Sequence, residues 1–272
     1  MYSKGNREWH VILEDETLAQ LFERYIAYDL QGSKEELAQG DPGAALDHAE
    51  PLSMPDVFVP MDSLLDQAAL AASTAEPTPP EVLPSSPRAV RVRPLLTPDN
   101  YVERVSALLA TAKRSVYMQF AYINYTDKPD DARFTELLGQ LGELSWKPGL
   151  DVRIILDSRG AADRIRLLVQ AGFNDKVFRT QSNIHNKGII VDGKSVLVSS
   201  ANWSGDGVLR NRDAGLIIAD QEIAGYYQKV FVDDWNHRAN SRIEDDPPVL
   251  VAAEGEPTPA GMVRMAWRDY HA

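Results

Sequence analysis

At 272 residues the chain has room for one or two domains and a sizeable core. It contains no cysteine, which excludes disulfides, thiolate metal sites and a Cys nucleophile. Residues 1–87 carry 4 basic and 16 acidic side chains, residues 88–240 carry 21 and 18, and residues 241–272 carry 3 and 6, so the acidity lies in the flanks and no strongly basic nucleic-acid face is indicated.

No run approaches the length needed to span a membrane, and the first ten residues hold no apolar secretion segment; the compartment stays open. In chain order, Trp9 to Leu13 predicts a strand, and Leu18, Leu21, Phe22 and Tyr25 predict a helix over Glu14 to Tyr28, so that residues 1–30 form a strand–helix unit. Residues 31–87, rich in Ala, Pro and acidic side chains, predict a largely disordered linker with a short amphipathic helix around Met61 to Ala72. From Arg88 strands and helices alternate. Strands are expected at Arg91–Leu96, Ser115–Ile123, Leu150–Leu156, Lys176–Arg179 and Asp213–Ala219. Helices are expected after Thr97-Pro98 with Thr97 as N-cap, around Phe134 to Leu141, at Ala161–Ala171 and at Gln221–Trp235. That order predicts an α/β layered domain over 88–240, built on a mixed sheet, followed by an acidic, Pro-rich tail over 241–272.

One stretch carries the chemistry. Ile184 to Asn202 reads as a β-hairpin, with Asp192-Gly193 as a tight turn that pairs residue 191 with 194. In that register His185 faces Ser200, Lys187 faces Val198, and His185 and Lys187 share one face. A nucleophile or base, a cation and an amide donor (Asn202) then meet at one strand mouth, a set that suits a phosphate. The other histidines, His10, His48, His237 and His271, have no such company. Asp127, Asp130 and Asp131 read as a solvated loop without metal-ligand spacing. Trp203 and Trp235 read as packing residues, while Tyr122 or Tyr125 is expected to line the mouth.

A repeat links the two ends of the chain. At a constant offset of 205, Asn6-Arg7-Glu8 aligns with Asn211-Arg212-Asp213, Val11-Ile12-Leu13 with Leu216-Ile217-Ile218, Asp15 with Asp220, Phe22 with Tyr227 and Asp29 with Asp234. The strand–helix unit is thus present twice.

The run His185-x-Lys187-(four residues)-Asp192-(six residues)-Ser199-Ser200-x-Asn202 resembles the HKD motif of the phospholipase D superfamily, with Ser199-Ser200 where the family has Gly-Ser. The resemblance implies a phospholipase D-like fold over 88–240 and, over 1–30, the remnant of a first half. It implies a phosphodiesterase that hydrolyses or transfers a phosphatidyl group through a phosphohistidine, without metal or other cofactor. His185 would attack phosphorus, Lys187 and Asn202 would hold the non-bridging oxygens, Ser200 would add a hydroxyl, and Asp213 would accept from the second ring nitrogen of His185. Asp192, about 16 Å beyond Lys187 along a strand, is expected to be structural. Family enzymes use two motif histidines, one as nucleophile and one as general acid, and this sequence holds one. The second is expected either from a homodimer that brings both copies of His185 to one phosphate, or from a first half upstream of Met1, with which an export signal would also lie. Phospholipid is the favoured substrate, with peripheral membrane contact. A nuclease of the same chemistry and a catalytically silent half serving as a binding module are the alternatives.

Overall fold

The computed structural model describes residues 7–39, 57–60 and 89–241. The expected helix around Met61 to Ala72 and the tail beyond Ser241 lie outside the described residues. Within them an eight-stranded mixed sheet is flanked on both faces. Its strands are β1 (Val57–Pro60), β2 (Ala89–Leu96), β3 (Ser115–Phe120), β4 (Asp151–Asp157), β5 (Phe178–Gln181), β6 (Lys187–Val191), β7 (Ser195–Ser199) and β8 (Ala214–Ala219). They lie in the order β1-β2-β8-β7-β6-β3-β4-β5. Only β3/β4 and β4/β5 pair in parallel; the other pairs are antiparallel. The helices are α1 (Glu16–Gln39), α2 (Tyr101–Ala110), α3 (Ala132–Trp146), α4 (Ala161–Gln170), α5 (Gly205–Leu209) and α6 (Gln221–His237).

The central strands β3, β4 and β6 are buried along nearly their whole length, mostly by apolar side chains, because both of their faces are covered. On one face Val116, Met118, Phe120, Ile189 and Leu197 pack against Val105, Phe134, Leu141, Leu168 and Trp203 from the α2–α5 side. On the other, Tyr117, Ile155, Ile190, Val196 and Ile218 pack against Trp9 and against Tyr227, Phe231 and Trp235 of α6. Trp203 and Trp235 are thus core residues. Among the described residues no helix is long and apolar enough to cross a membrane.

Four local expectations change. Residues 9–13 form no ladder; the segment touches strand structure through a single parallel bridge, Arg7 with Ile184. The helix after it runs on to Gln39, and β1 pairs with β2 inside what reads as linker. Thr97 does not cap α2: the helix starts at Tyr101 after Asn100, and the Thr97 hydroxyl instead donates to the Asn211 carbonyl at 2.6 Å and accepts from the Asp213 N–H at 2.8 Å. The hairpin keeps its Asp192-Gly193 turn, with both residues left-handed at φ 57° and 63° and Lys194 N–H on the Val191 carbonyl. The ladder, however, pairs Val191 with Ser195 and Gly188 with Val198. Lys194 is an extra residue on the second arm, so the facing pairs shift by one from the expected register.

Asp192 explains why the turn is held so. Its carboxylate accepts the backbone N–H groups of Lys113, Arg114 and Ser115, the last two at 2.7 and 2.9 Å, and its own N–H donates to the Ser115 carbonyl. Burial opposes its charge, but these backbone donors and the Arg114 guanidinium outweigh that and hold the carboxyl below its ordinary range. Such a group contributes stability above the ordinary carboxylate pKa, and the contribution is lost as pH falls through the lowered value. Asp192→Ala is expected to cost about 1–2 kcal/mol at pH 7 after allowance for partial exposure. In thermal melts the gap from wild type should close as pH drops below the usual carboxylate range, and the folded fraction should keep whatever turnover wild type has.

Candidate active site

The site forms where β6 begins, beside the C-terminal ends of β3 and β4. The chain enters β6 through Asn183, held left-handed at φ 62°. Three contacts fix the next residues. Asp157, buried at the end of β4, accepts the Ile184 N–H at 2.8 Å. The His185 N–H donates to the Arg7 carbonyl at 3.0 Å, and the Arg7 N–H donates to the Asn183 carbonyl at 2.6 Å. Behind them lies a polar network. The Asn186 amide donates to Gln119 at 2.6 Å, Gln119 donates to Asp234 at 3.0 Å, and Asp234 takes both Arg7 Nε and Nη2 at 2.9 and 3.0 Å.

His185 points outward, its side chain 55% exposed, with Nδ1 at 2.9 Å from Glu8 Oε1. The other ring nitrogen is left for chemistry. Lys187 is buried, and its Nζ donates to the His185 carbonyl at 2.8 Å. Burial draws its pKa below the ordinary lysine value, while the charges of Glu8 and Asp213 push it back up. Both carboxylates are therefore neighbours of this one ammonium.

Asp213, expected behind His185, is engaged elsewhere: it accepts the Ser200 hydroxyl at 2.7 Å. The carboxylate on the ring is Glu8. Ser200 in turn accepts the Ala214 N–H at 3.1 Å, so the hydroxyl bridges the hairpin to the start of β8. The Ser199 hydroxyl, at the departure from Gly-Ser, accepts the Ala201 N–H at 3.0 Å. Asn202 lies in the loop before α5, with its Oδ1 buried and taking no hydrogen bond from the protein. Asp192 sits at the far end of β6, in the turn. Tyr122 and Tyr125 are half-buried just after β3, where Arg164 lies 5.3 Å over the Tyr122 ring. Asp131 is buried rather than solvated, binding Thr126 at 2.7 Å and Arg210 at 2.6 Å. Among the described residues no group of three His, Cys, Asp or Glu could hold a metal ion.

Sequence reasoning gave no role to Glu8, Arg7, Asp157 or Gln119. Glu8 and Arg7 did leave a signal, because the repeat aligns them with Asp213 and Arg212; Asp157 and Gln119 left none. Trp9 also serves the site. Its ring lies where a Cβ on Gly188 would have to go, so the glycine lets the segment carrying Glu8 settle onto β6.

A family described as "Cardiolipin synthase, PLD-like domain" matches residues 105–235. Mitochondrial cardiolipin hydrolase from Canis lupus familiaris is 31% identical over 101 residues, covering 36% of this chain and 40% of that protein. The Xenopus tropicalis protein of that name is 30% identical over 145 residues, covering 52% and 64%. Phospholipase D from Rickettsia conorii is 28% identical over 128 residues, covering 43% and 62%. The chain thus spans between 40% and 64% of the length of these relatives. Among solved structures, the phospholipase D family member Nuc from Salmonella typhimurium aligns with a TM-score of 0.43 and 23% identity, covering 55% of this chain and 95% of that one. The family match runs from within α2 to within α6 and so takes in the whole stretch from Ile184 to Asn202; this region, residues 105–235, belongs to the phospholipase D superfamily.

Proposed function

We propose that the chain carries one half of a phosphodiesterase site that cleaves or transfers a phosphatidyl group through a phosphohistidine. The observation that carries this reading is His185: its ring is exposed, Nδ1 is anchored on Glu8, and the Lys187 ammonium sits on the carbonyl of the same residue. In the first step Nε2 of His185 bonds to phosphorus and the bond to the leaving alcohol oxygen breaks, that oxygen taking a proton from an acid. Glu8 accepts the Nδ1 proton's hydrogen bond, keeps Nε2 free of hydrogen, and offsets the positive charge that the ring gains. Lys187, with Asn202, balances the charge on the non-bridging oxygens. Water or another alcohol then attacks phosphorus, giving its proton back to the group that served as the acid, and the P–N bond breaks with its electron pair returning to Nε2 to restore the imidazole. The acid in this scheme is a second motif histidine from another half.

The names of the curated relatives favour a lipid phosphodiester. The test is direct: wild type and His185→Ala are assayed on bis(p-nitrophenyl) phosphate, on cardiolipin vesicles and on single-stranded DNA. Histidine-dependent cleavage of the vesicles supports the lipid reading, and cleavage confined to DNA replaces it with a nuclease. Wild type inactive on all three, also when paired with a second half, leaves a binding module.

Glu8 provides a finer prediction. Glu8→Gln should lower kcat about 100-fold with KM unchanged, because it removes the group that orients the ring rather than one that holds substrate. Glu8→Asp should recover part of the loss. A KM effect alone would place Glu8 on the substrate instead.

A further inference from the structure

The β3/β6 register, continued one step past the sheet, sets Tyr122 opposite His185. Phe120 pairs with Lys187, and the Ala121 N–H still donates to the Asn186 carbonyl at 3.0 Å. Phe120 and Ile189 face the α2–α5 side, so alternation directs Tyr122, Lys187 and His185 to that side as well. Two residues on, the chain reaches the other end of the motif: the Asn124 N–H donates to the carbonyl of Trp203, the residue after Asn202, at 2.8 Å. Tyr122 and Asn124 thus span the mouth between the histidine and the asparagine.

Arg164, half-buried in the first turn of α4, is clasped onto both. Its Cζ lies 5.3 Å over the Tyr122 ring, Nε donates to Asn124 Oδ1 at 3.0 Å, and Nη1 donates to the Arg159 carbonyl at 2.6 Å. Gly160 makes room for it: a Cβ there would stand 3.0 Å from Nη1. All of these partners are neutral. Arg159, Arg166 and Arg210 pair with Asp157, Asp163 and Asp131, but among the described residues no carboxylate pairs with Arg164. Holding a cation partly out of water on neutral groups alone is costly, and a cation in the first turn also opposes the helix dipole. Tying residues 122–124 to α4 would need only an uncharged donor. Three of the five guanidinium N–H groups remain for an anion.

We propose that Arg164 is a specificity-determining residue that takes a second phosphodiester of the substrate, carried on the same lipid three carbons from the scissile one. The scissile phosphate belongs to His185, Lys187 and Asn202, and the guanidinium stands one facing residue further along the mouth. Facing residues on neighbouring strands are about 5 Å apart, a spacing comparable with that of two phosphates joined through a three-carbon bridge. The planar fork suits a phosphate, which can accept two parallel N–H bonds. The lipid in this assignment rests on the phosphodiesterase reading above; the phosphate site at Arg164 rests on its own geometry.

Two measurements keep these apart. Binding is read by calorimetric titration with glycerol 1,3-bisphosphate and with glycerol 1-phosphate. Wild type should bind the bisphosphate about tenfold tighter or more, and Arg164→Gln should abolish the difference. Arg164→Lys, which keeps the charge and loses the fork, should retain part of it, and decides by the same comparison should the glutamine variant not fold. Turnover is compared on phosphatidylcholine vesicles containing cardiolipin or phosphatidylglycerol, which share a headgroup glycerol and differ by the second phosphatidyl group. Arg164→Gln should lower the ratio of kcat/KM values, cardiolipin over phosphatidylglycerol, by about tenfold or more. Wild type that shows the binding preference but cleaves neither lipid keeps the phosphate site and overturns only the phosphodiesterase reading. Equal affinity for the two ligands, a preference that survives Arg164→Gln, or an equal fall in turnover on both lipids overturns the proposal and leaves Arg164 a clasp of the loop. A loss confined to cleavage of single-stranded DNA overturns it in favour of a neighbouring nucleotide phosphate.

Discussion

His185→Ala is expected to lower kcat by about 10⁴-fold or more in any preparation in which wild type turns over a phosphodiester, with Tm changed by no more than about 2 °C. The size follows from covalent catalysis: without the ring there is no phosphoryl acceptor, and the remaining donors can only bind. The melting temperature should hold because the ring is exposed and contributes one contact, to Glu8. The backbone contacts that fix this residue, His185 N–H to Arg7 and Ile184 N–H to Asp157, do not need the side chain. The decisive measurement pairs initial rates with a melt on the same sample. A variant that retains a tenth of the wild-type rate would remove His185 from the reaction.

Asp234→Ala is expected to have the largest effect on stability, about 3 kcal/mol, which for a chain of this size lowers Tm by about 6–12 °C. Asp234 is fully buried, yet it takes two bonds from Arg7 and one from Gln119, and Arg238 approaches at 3.4 Å. Removing it leaves a guanidinium and an amide donor without their acceptor. The cost stays near the lower end for broken ion pairs because Arg7 is partly exposed and can turn to water. The loss should also travel: Arg7 ties residues 7–13 to the entrance of β6, so faster amide exchange there and a reduced rate should accompany the lower Tm. Asp234→Asn, which keeps the shape and one acceptor, should be milder. A variant melting within about 1 °C of wild type would show that the network contributes nothing.

Much of the molecule was legible in its amino-acid order. The order of strands and helices from Arg88, the apolar periodicity of α3 and α6, and the turn residues of the hairpin are local properties, and local chemistry places them. The offset of 205 was equally legible, and it fell on the two helix starts because Asp15 and Asp220 are both capping residues. Other features depend on partners that no local rule names. Asp-Gly predicts a two-residue turn; the extra residue Lys194 is accommodated because Asp192 is tied to the backbone of residues 113–115, nearly eighty positions away. Trp9 to Leu13 is aromatic and branched-aliphatic like a strand, but among the described residues no ladder forms along it, and composition alone does not make one.

The division is clearest at the histidine. The sequence by itself determined that His185, Lys187 and Asn202 flank one hairpin turn and that Glu8 and Asp213 are aligned by one repeat. Which carboxylate meets the ring was decided only by the tertiary structure. Each unit reaches to a partner far along the chain: Arg7 to Asp234, Arg212 to Asp29, and Glu8 to His185. A repeat in sequence records that two segments are alike; it carries no information on which of them faces a given side chain, because that depends on the rotation relating them in space.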